Sequence, residues 1–170
     1  MSEVLARWNQ LPPEEAAREI LACCGSNAWA AALASKRPFL DGDALFAASN
    51  EVWRSLSEAD WLEAFRSHPR IGESRAEATV AVQSSAWSQQ EQQKATTAEE
   101  AIKTALKWGS REYEQKFGRI FIVCATGKSA TEILEILRRR LHNDDVTELQ
   151  QAAEEQRQIM QLRLKKWIAG

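Results

Sequence analysis

Three polar side chains occupy positions where helical spacing calls for core residues. His68 follows Trp61 and Phe65 at spacings of four and three, so on a continuous helix its imidazole shares their inward face. Pro69 pushes His68 itself toward extended backbone, and Gly72 lets the next loop fold back sharply. Glu91 lies on the row Trp87-Glu91-Ala95-Ala98-Ile102-Ala105, which sets a carboxylate among core-facing side chains. Arg163 falls on Leu149-Ala152-Gln156-Met160-Arg163-Trp167, and a buried arginine needs an anion or hydrogen-bond partner. An imidazole, with an ordinary pKa near ~6.5, exchanges protons at neutral pH. A carboxylate accepts N–H bonds, and a guanidinium offers a planar set of donors. Together the three would line a polar pocket for a small anion.

Each residue also has a structural explanation. His68 could bond the last carbonyls of its helix. Ser88-Gln-Gln-Glu91 has capping-box spacing, so one oxygen of Glu91 could cap its own helix while the other faces a cavity. Arg163 could pair with Glu148, Glu154 or Glu91. The coincidence of all three on apolar rows is what favours a site.

The elements that must position them are helical. Glycine is scarce, 7 in 170 residues against an average near ~7%, and apolar residues recur at three- and four-residue spacing. Pro12 and Pro13 open a helix that ends at Gly25. A second starts at Ser26-Asn27 and stops around Arg37-Pro38, a third follows Asp43, and a fourth follows Ser57 and halts at His68-Pro69. Residues 70–85 read as a loop with at most one helical turn. A long helix is expected from Ser88 to Trp108 and a shorter one from Arg111 to Lys116, closed by Gly118. Two more run from Ser129 to His142 and from Val146 to Ile168. Arg119-Ile-Phe-Ile-Val-Cys124, rich in β-branched and aromatic residues, is the one good candidate for extended backbone. A lone strand cannot form a sheet, so its polar groups must find loops, water, a second chain or a ligand. The expected architecture is an all-α, compact single-domain multi-helix bundle over residues 1–170, with one short extended segment near 119–124.

Composition narrows the function classes. A net charge of −2, with 27% charged and 44% hydrophobic residues, suits a globular protein and offers no overall positive field for nucleic acid. Arg138-Arg139-Arg140 is the only tight basic run and reads as a solvated helix face. The longest uncharged stretch, Ile20 to Ser35, is broken by Gly25-Ser26-Asn27, so no membrane span is expected, and the first residues lack an apolar leader run. Three cysteines, Cys23, Cys24 and Cys124, without C-x-x-C spacing read as reduced, buried thiols of a cytoplasmic protein. With two distant histidines, His68 and His142, and no H-E-x-x-H or Cys/His cluster, no metal site is expected.

Gly127-Lys128-Ser129 after the extended run has the letters that end a phosphate-binding loop. That motif requires its first glycine at position 122, where Ile122 stands, and Ser129-Ala-Thr-Glu132 explains the same letters as a capping box.

The sequence resembles the 2-oxo-4-hydroxy-4-carboxy-5-ureidoimidazoline (OHCU) decarboxylases along nearly its whole length. The resemblance is carried by Cys24-Gly-Ser-Asn-Ala-Trp-Ala30, Arg37-Pro-Phe39, His68-Pro-Arg-Ile-Gly72, Ser88-x-x-Glu91-Gln92-x-x-Ala95 and Tyr113-Glu-Gln-Lys-Phe-Gly118 running into Phe121 to Ser129. Arg140, Asn143, Glu148 and Arg163-Leu164 complete it. It implies an all-helical, often homodimeric enzyme that needs no cofactor and converts the ureidoimidazoline of urate breakdown to (S)-allantoin. It further implies that His68 and Glu91 are catalytic, and that Pro69, Ser88, Arg163 and backbone groups from Phe121 to Val123 hold the substrate.

Such a reaction leaves an electron pair on a ring carbon, and the substrate's own C=N bond, next to the carboxylated carbon, can take it without a cofactor. The protein's part would be to orient the carboxylate, stabilise developing charge and deliver one proton to one face. His68 would be the general acid or base, Glu91 the acceptor for ureido or ring N–H groups, and Arg163 the donor to carboxylate or carbonyl oxygens. Two other readings are a helical interaction module using a groove of the seven tryptophans and a phosphate-ligand protein using Gly127-Lys128-Ser129. Neither explains His68, Glu91 and Arg163 together.

Overall fold

Short polar side chains start most of the helices. Hydroxyl or carboxylate oxygens of Ser2, Ser26, Asp41, Ser57 and Ser129 accept from the backbone N–H three residues on, at Leu5, Trp29, Ala44, Asp60 and Glu132. The Asp60 carboxylate returns the bond to Ser57 and completes a capping box. The computed structural model describes residues 2–71 and 89–170, and the side chains of all of these except 89–97. Most of the loop expected at 70–85, Gly72 included, lies outside the described residues. Among the described residues are eight α-helices and no strand. In chain order these are α1 (Glu3–Gln10), α2 (Pro13–Ile20), α3 (Asn27–Ser35), α4 (Gly42–Ser55), α5 (Glu58–Arg66), α6 (Gln89–Phe117), α7 (Ala130–Arg140) and α8 (Asp145–Ala169). A 3₁₀ turn, Leu21–Cys23, extends α2. No described helix is long and apolar enough to cross a membrane.

The chain divides into two compact units, Met1–Ser67 with Gln151–Gly170, and His68–Gln150. In the first, Trp8, Trp29 and Trp53 are fully buried. Their indole N–H groups donate to the carbonyls of Ala16 (2.9 Å), Ser49 (3.4 Å) and Ala153 (2.9 Å), so each ring is fixed at its polar edge as well as by packing. Gly25 ends the turn after α2 with φ +85°, and a side chain there would meet Ser67 Oγ at 2.3 Å. Gln156 on α8 donates to the Cys24 carbonyl beside it at 3.3 Å.

The second unit is built on a cluster of Leu106, Tyr113, Phe117, Phe121, Val123, Ile133, Leu134 and Leu137. The helix break expected between Trp108 and Arg111 does not occur, and α6 continues unbroken for 29 residues. Gly109 is a packing position: a Cβ there would lie 2.7 Å from Cδ2 of the buried Leu137 on α7. Close approach of α7 offsets the roughly 1 kcal/mol helix-propensity cost of glycine. Gly118, at φ +68°, does end the helix.

Candidate active site

Residues 120–125 carry no regular secondary structure, yet they keep the alternation of an extended run. The Phe121 and Val123 side chains enter the core cluster, whereas the buried Ile122 does not. The carbonyls of Ile122 and Cys124, two residues apart, are taken by cations: Arg140 Nη1 at 2.6 Å and Lys128 Nζ at 2.8 Å. One edge of the segment is thus satisfied by side chains, a solution that the sequence alone does not suggest. The peptide groups of Phe121 and Val123 have no hydrogen-bond partner among the described residues, although the two residues are only 3% and 6% exposed. Buried peptide groups are rarely left unpaired, so this second edge is suited to a ligand that carries both donors and acceptors.

Arg140 departs from the solvated face expected of its basic run. Arg138 and Arg139 are exposed, but Arg140 is 2% exposed. Its Nε and Nη2 donate to Oε1 of Glu148 on α8 at 2.8 and 2.5 Å, and Glu148 is fully buried. Tyr113 Oη donates to the same oxygen at 2.6 Å, and Asn143 Nδ2 donates to Oε2 at 3.0 Å. Burial first, and then the carboxylate it bonds, push the Tyr113 pKa upward and keep its proton in place to donate. The guanidinium also stacks over the Phe121 ring, 4.6 Å from its centroid. The signal that finds Arg140 is the same as for Arg163, since Ile133, Leu137 and Arg140 step by four and three along α7.

His68 is half-buried and lies two residues beyond the end of α5, so the continuous helix expected for its row is not present. The residues after His68 are anchored to the second unit instead. Exposed Pro69 leads into Arg70, whose Nε reaches Glu114 Oε1 on α6 at 2.7 Å, and into Ile71, which packs against the cluster containing Phe121 and Val123.

In the first unit, the row to which Arg163 belongs is buried at Ala152, Gln156 and Met160, and Arg163 itself is half-buried. Among the described residues it finds no acid, and the Glu91 side chain lies outside them. Glu148 is held by Arg140 and Glu154 by Arg157, while Arg163 Nη1 donates to the Ala22 carbonyl at 3.4 Å. Its other N–H groups have no protein partner among the described residues. The neighbouring Cys23 and Cys24 thiols are pushed up to about 11 and about 12 by burial, which outweighs the opposing pull of the Arg163 charge. They are packing groups and not nucleophiles.

Ser88, the Glu91 side chain and its capping-box spacing lie outside the described residues. Of the Glu91 row, Ile102 and Ala105 pack against the core of the second unit and Ala98 is exposed. The structure therefore places His68, Pro69, Phe121 and Val123 in the second unit and Arg163 in the first. No cluster of three or more metal-ligating side chains occurs among the described residues.

A sequence model of the OHCU decarboxylase family matches residues 9–165. The chain belongs to that family. It is 35% identical over 152 residues to the uric acid degradation bifunctional protein TTL of Arabidopsis thaliana, covering 85% of this chain and 44% of that protein. It is 32% identical over 136 residues to the 2-oxo-4-hydroxy-4-carboxy-5-ureidoimidazoline decarboxylase of Amia calva, covering 80% and 77%. A crystal structure of OHCU decarboxylase in the presence of (S)-allantoin superposes with a TM-score of 0.73 at 31% identity, over 89% of this chain and 98% of that one. The chain thus spans less than half the length of the bifunctional plant relative and most of the length of the single-function ones.

Proposed function

We propose that this chain decarboxylates 2-oxo-4-hydroxy-4-carboxy-5-ureidoimidazoline to (S)-allantoin, a late step of urate degradation, without a cofactor. The observation that carries the proposal is the family match over residues 9–165, which contains all seven candidate residues: His68, Pro69, Ser88, Glu91, Phe121, Val123 and Arg163. The geometry supports it independently through the peptide edge at Phe121 and Val123, which has no partner among the described residues and matches the mixed donors and acceptors of a ureido group.

The bond from ring carbon to carboxylate breaks, carbon dioxide leaves, and the electron pair enters the adjacent C=N bond, whose nitrogen takes a proton. The resulting enediol-like ring then gains a proton at the ureido-bearing carbon, while its hydroxyl loses one and becomes the carbonyl of the hydantoin. His68 moves a proton as general acid or base. Glu91 fixes the ring through its N–H groups, and the N–H groups of Arg163 that have no partner among the described residues take the carboxylate or a carbonyl oxygen. Pro69 and Ser88 complete the binding surface. A cytoplasmic setting suits three buried thiols, Cys23, Cys24 and Cys124, and a homodimer belongs to the same proposal, checked by sedimentation.

Spontaneous decay of the substrate gives allantoin without stereochemical preference, so appearance of product is not the test. The ureidoimidazoline should be generated in place from urate and the optical activity followed with and without the protein. Excess (S)-allantoin is expected, and a racemic product formed at the buffer rate would overturn the proposal. Replacing Glu91 by glutamine should reduce kcat severely with an unchanged melting temperature. The opposite pattern, normal kcat with a lowered melting temperature, would assign Glu91 to helix capping.

An interaction module would require an exposed aromatic groove. Trp8, Trp29 and Trp53 are buried, Trp61 and Trp167 are half-buried, and among the described tryptophans only Trp108 is exposed. Against a phosphate ligand, Lys128 is bound to the Cys124 carbonyl and Ser129 caps α7.

A further inference from the structure

We propose that Arg140, which does not itself reach the substrate, is a positioning residue that turns the peptide groups of Phe121 and Val123 toward the ligand. The inference rests on the functional reading above and adds to it the device that shapes the binding edge.

Successive residues of extended backbone direct their N–H and C=O groups to opposite sides, so pinning one carbonyl sets the direction of its neighbours. Arg140 Nη1 holds the Ile122 carbonyl on one side. The groups of Phe121 and Val123 are therefore directed to the other, where no described residue offers them a partner. Lys128 acts in the same sense at Cys124, two residues further on. Core packing of the Phe121 and Val123 side chains restrains the segment, and in the absence of a sheet neighbour these cations are what hold its carbonyls to one side.

Arg140 is suited to this role because its position is over-determined. Its guanidinium is planar, and Nε and Nη2 are fixed on Glu148 Oε1 while Nη1 reaches Ile122. Glu148 is in turn held by Tyr113 from α6 and by Asn143 from the turn after α7. The face of the same guanidinium lies over the Phe121 ring. One side chain therefore fixes two consecutive residues of the segment, one by a hydrogen bond and one by stacking. A merely space-filling core residue at 140 would need no donor aimed at a carbonyl.

The test uses Arg140→Lys, which keeps a cation for Glu148 but cannot hold two oxygens in the same plane. Its folded state is verified by circular dichroism and thermal melting. For the folded variant, KM should rise at least tenfold and the Kd for (S)-allantoin should weaken by a similar factor, with kcat changed less than threefold. A folded variant with KM and Kd within twofold of wild type overturns the inference. Should Arg140→Lys fail to fold, Lys128→Met, which removes the cation at Cys124, is decisive: a threefold or greater rise in KM supports the inference, and a smaller change overturns it. A wild-type chain that neither turns over the ureidoimidazoline nor binds (S)-allantoin overturns the functional reading and this inference together, whereas an active wild type with unaffected variants overturns this inference alone.

Discussion

Replacing His68 by asparagine is expected to lower kcat for (S)-allantoin formation by roughly 10²- to 10⁴-fold, the usual contribution of a positioned general acid or base. Asparagine retains a polar, hydrogen-bonding side chain of similar reach but cannot take up or release a proton near neutrality. The fold should survive. His68 lies outside any helix and is half-buried, so the substitution opens no core cavity. The adjoining chain remains anchored by the Arg70 ion pair to Glu114 and by Ile71 against the core. The measurement is the enantiomeric excess and rate of allantoin formation from substrate generated in place, alongside a thermal melt. The product should become racemic, because protonation in solution has no face preference. Near-normal production of the (S) enantiomer would remove His68 from the chemistry.

The parts of this molecule that sequence makes legible are those decided within a few residues. The starts of α3, α5 and α7 follow from Ser26, Ser57 and Ser129, whose side chains accept within one turn, and the end of the turn after α2 follows from Gly25, where a positive φ disfavours a side chain. Helix α1 escapes pattern reading because eight residues with two buried positions, Leu5 and Trp8, are too few to display a period. Gly109 is misread for a different reason. Glycine inside a helix and glycine ending one look alike locally, and the side chain that decides between them, Leu137, lies on another helix.

The same limit governs the site. That 120–124 is not helical is legible from its β-branched residues, but the cations that satisfy one edge of it are four and eighteen residues away. Arg163 stands out in the sequence as a polar residue on an apolar row. Its partner among the described residues, the Ala22 carbonyl, is 141 residues distant, too far along the chain for local spacing to point to it. Arg140 resembles a surface residue because two exposed arginines precede it, although its place in the row with Ile133 and Leu137 marks it as inward. The row is a better guide than the run, because burial follows the helix face and not the neighbours in sequence.

Glu148→Ala should be the most destabilising single substitution of a charged residue in the second unit. It removes the carboxylate bonded to a guanidinium that is 2% exposed, along with the acceptor for Tyr113 and Asn143. Breaking a buried ion pair from one side costs about 3–5 kcal/mol, because the remaining charge is left desolvated. For a chain of this length, where each kcal/mol shifts Tm by about 2–4 °C, the melting point should fall by roughly 6–20 °C. The cost lies in the stranded charge and not in the loss of attraction alone, which makes a further outcome specific. The double variant Arg140→Met with Glu148→Leu removes both charges and fills the space, so it should recover a large part of the lost stability. It should not recover tight binding of (S)-allantoin, since methionine has no donor for the Ile122 carbonyl. A double variant as unstable as Glu148→Ala, or a single variant that melts within about 2 °C of wild type, the shift expected for no more than one kcal/mol, would show that the Arg140–Glu148 pair does not hold this unit together. Recovery of stability without recovery of binding would separate the two duties of Arg140: folding needs its charge to be matched, whereas binding needs a donor at the position of Nη1.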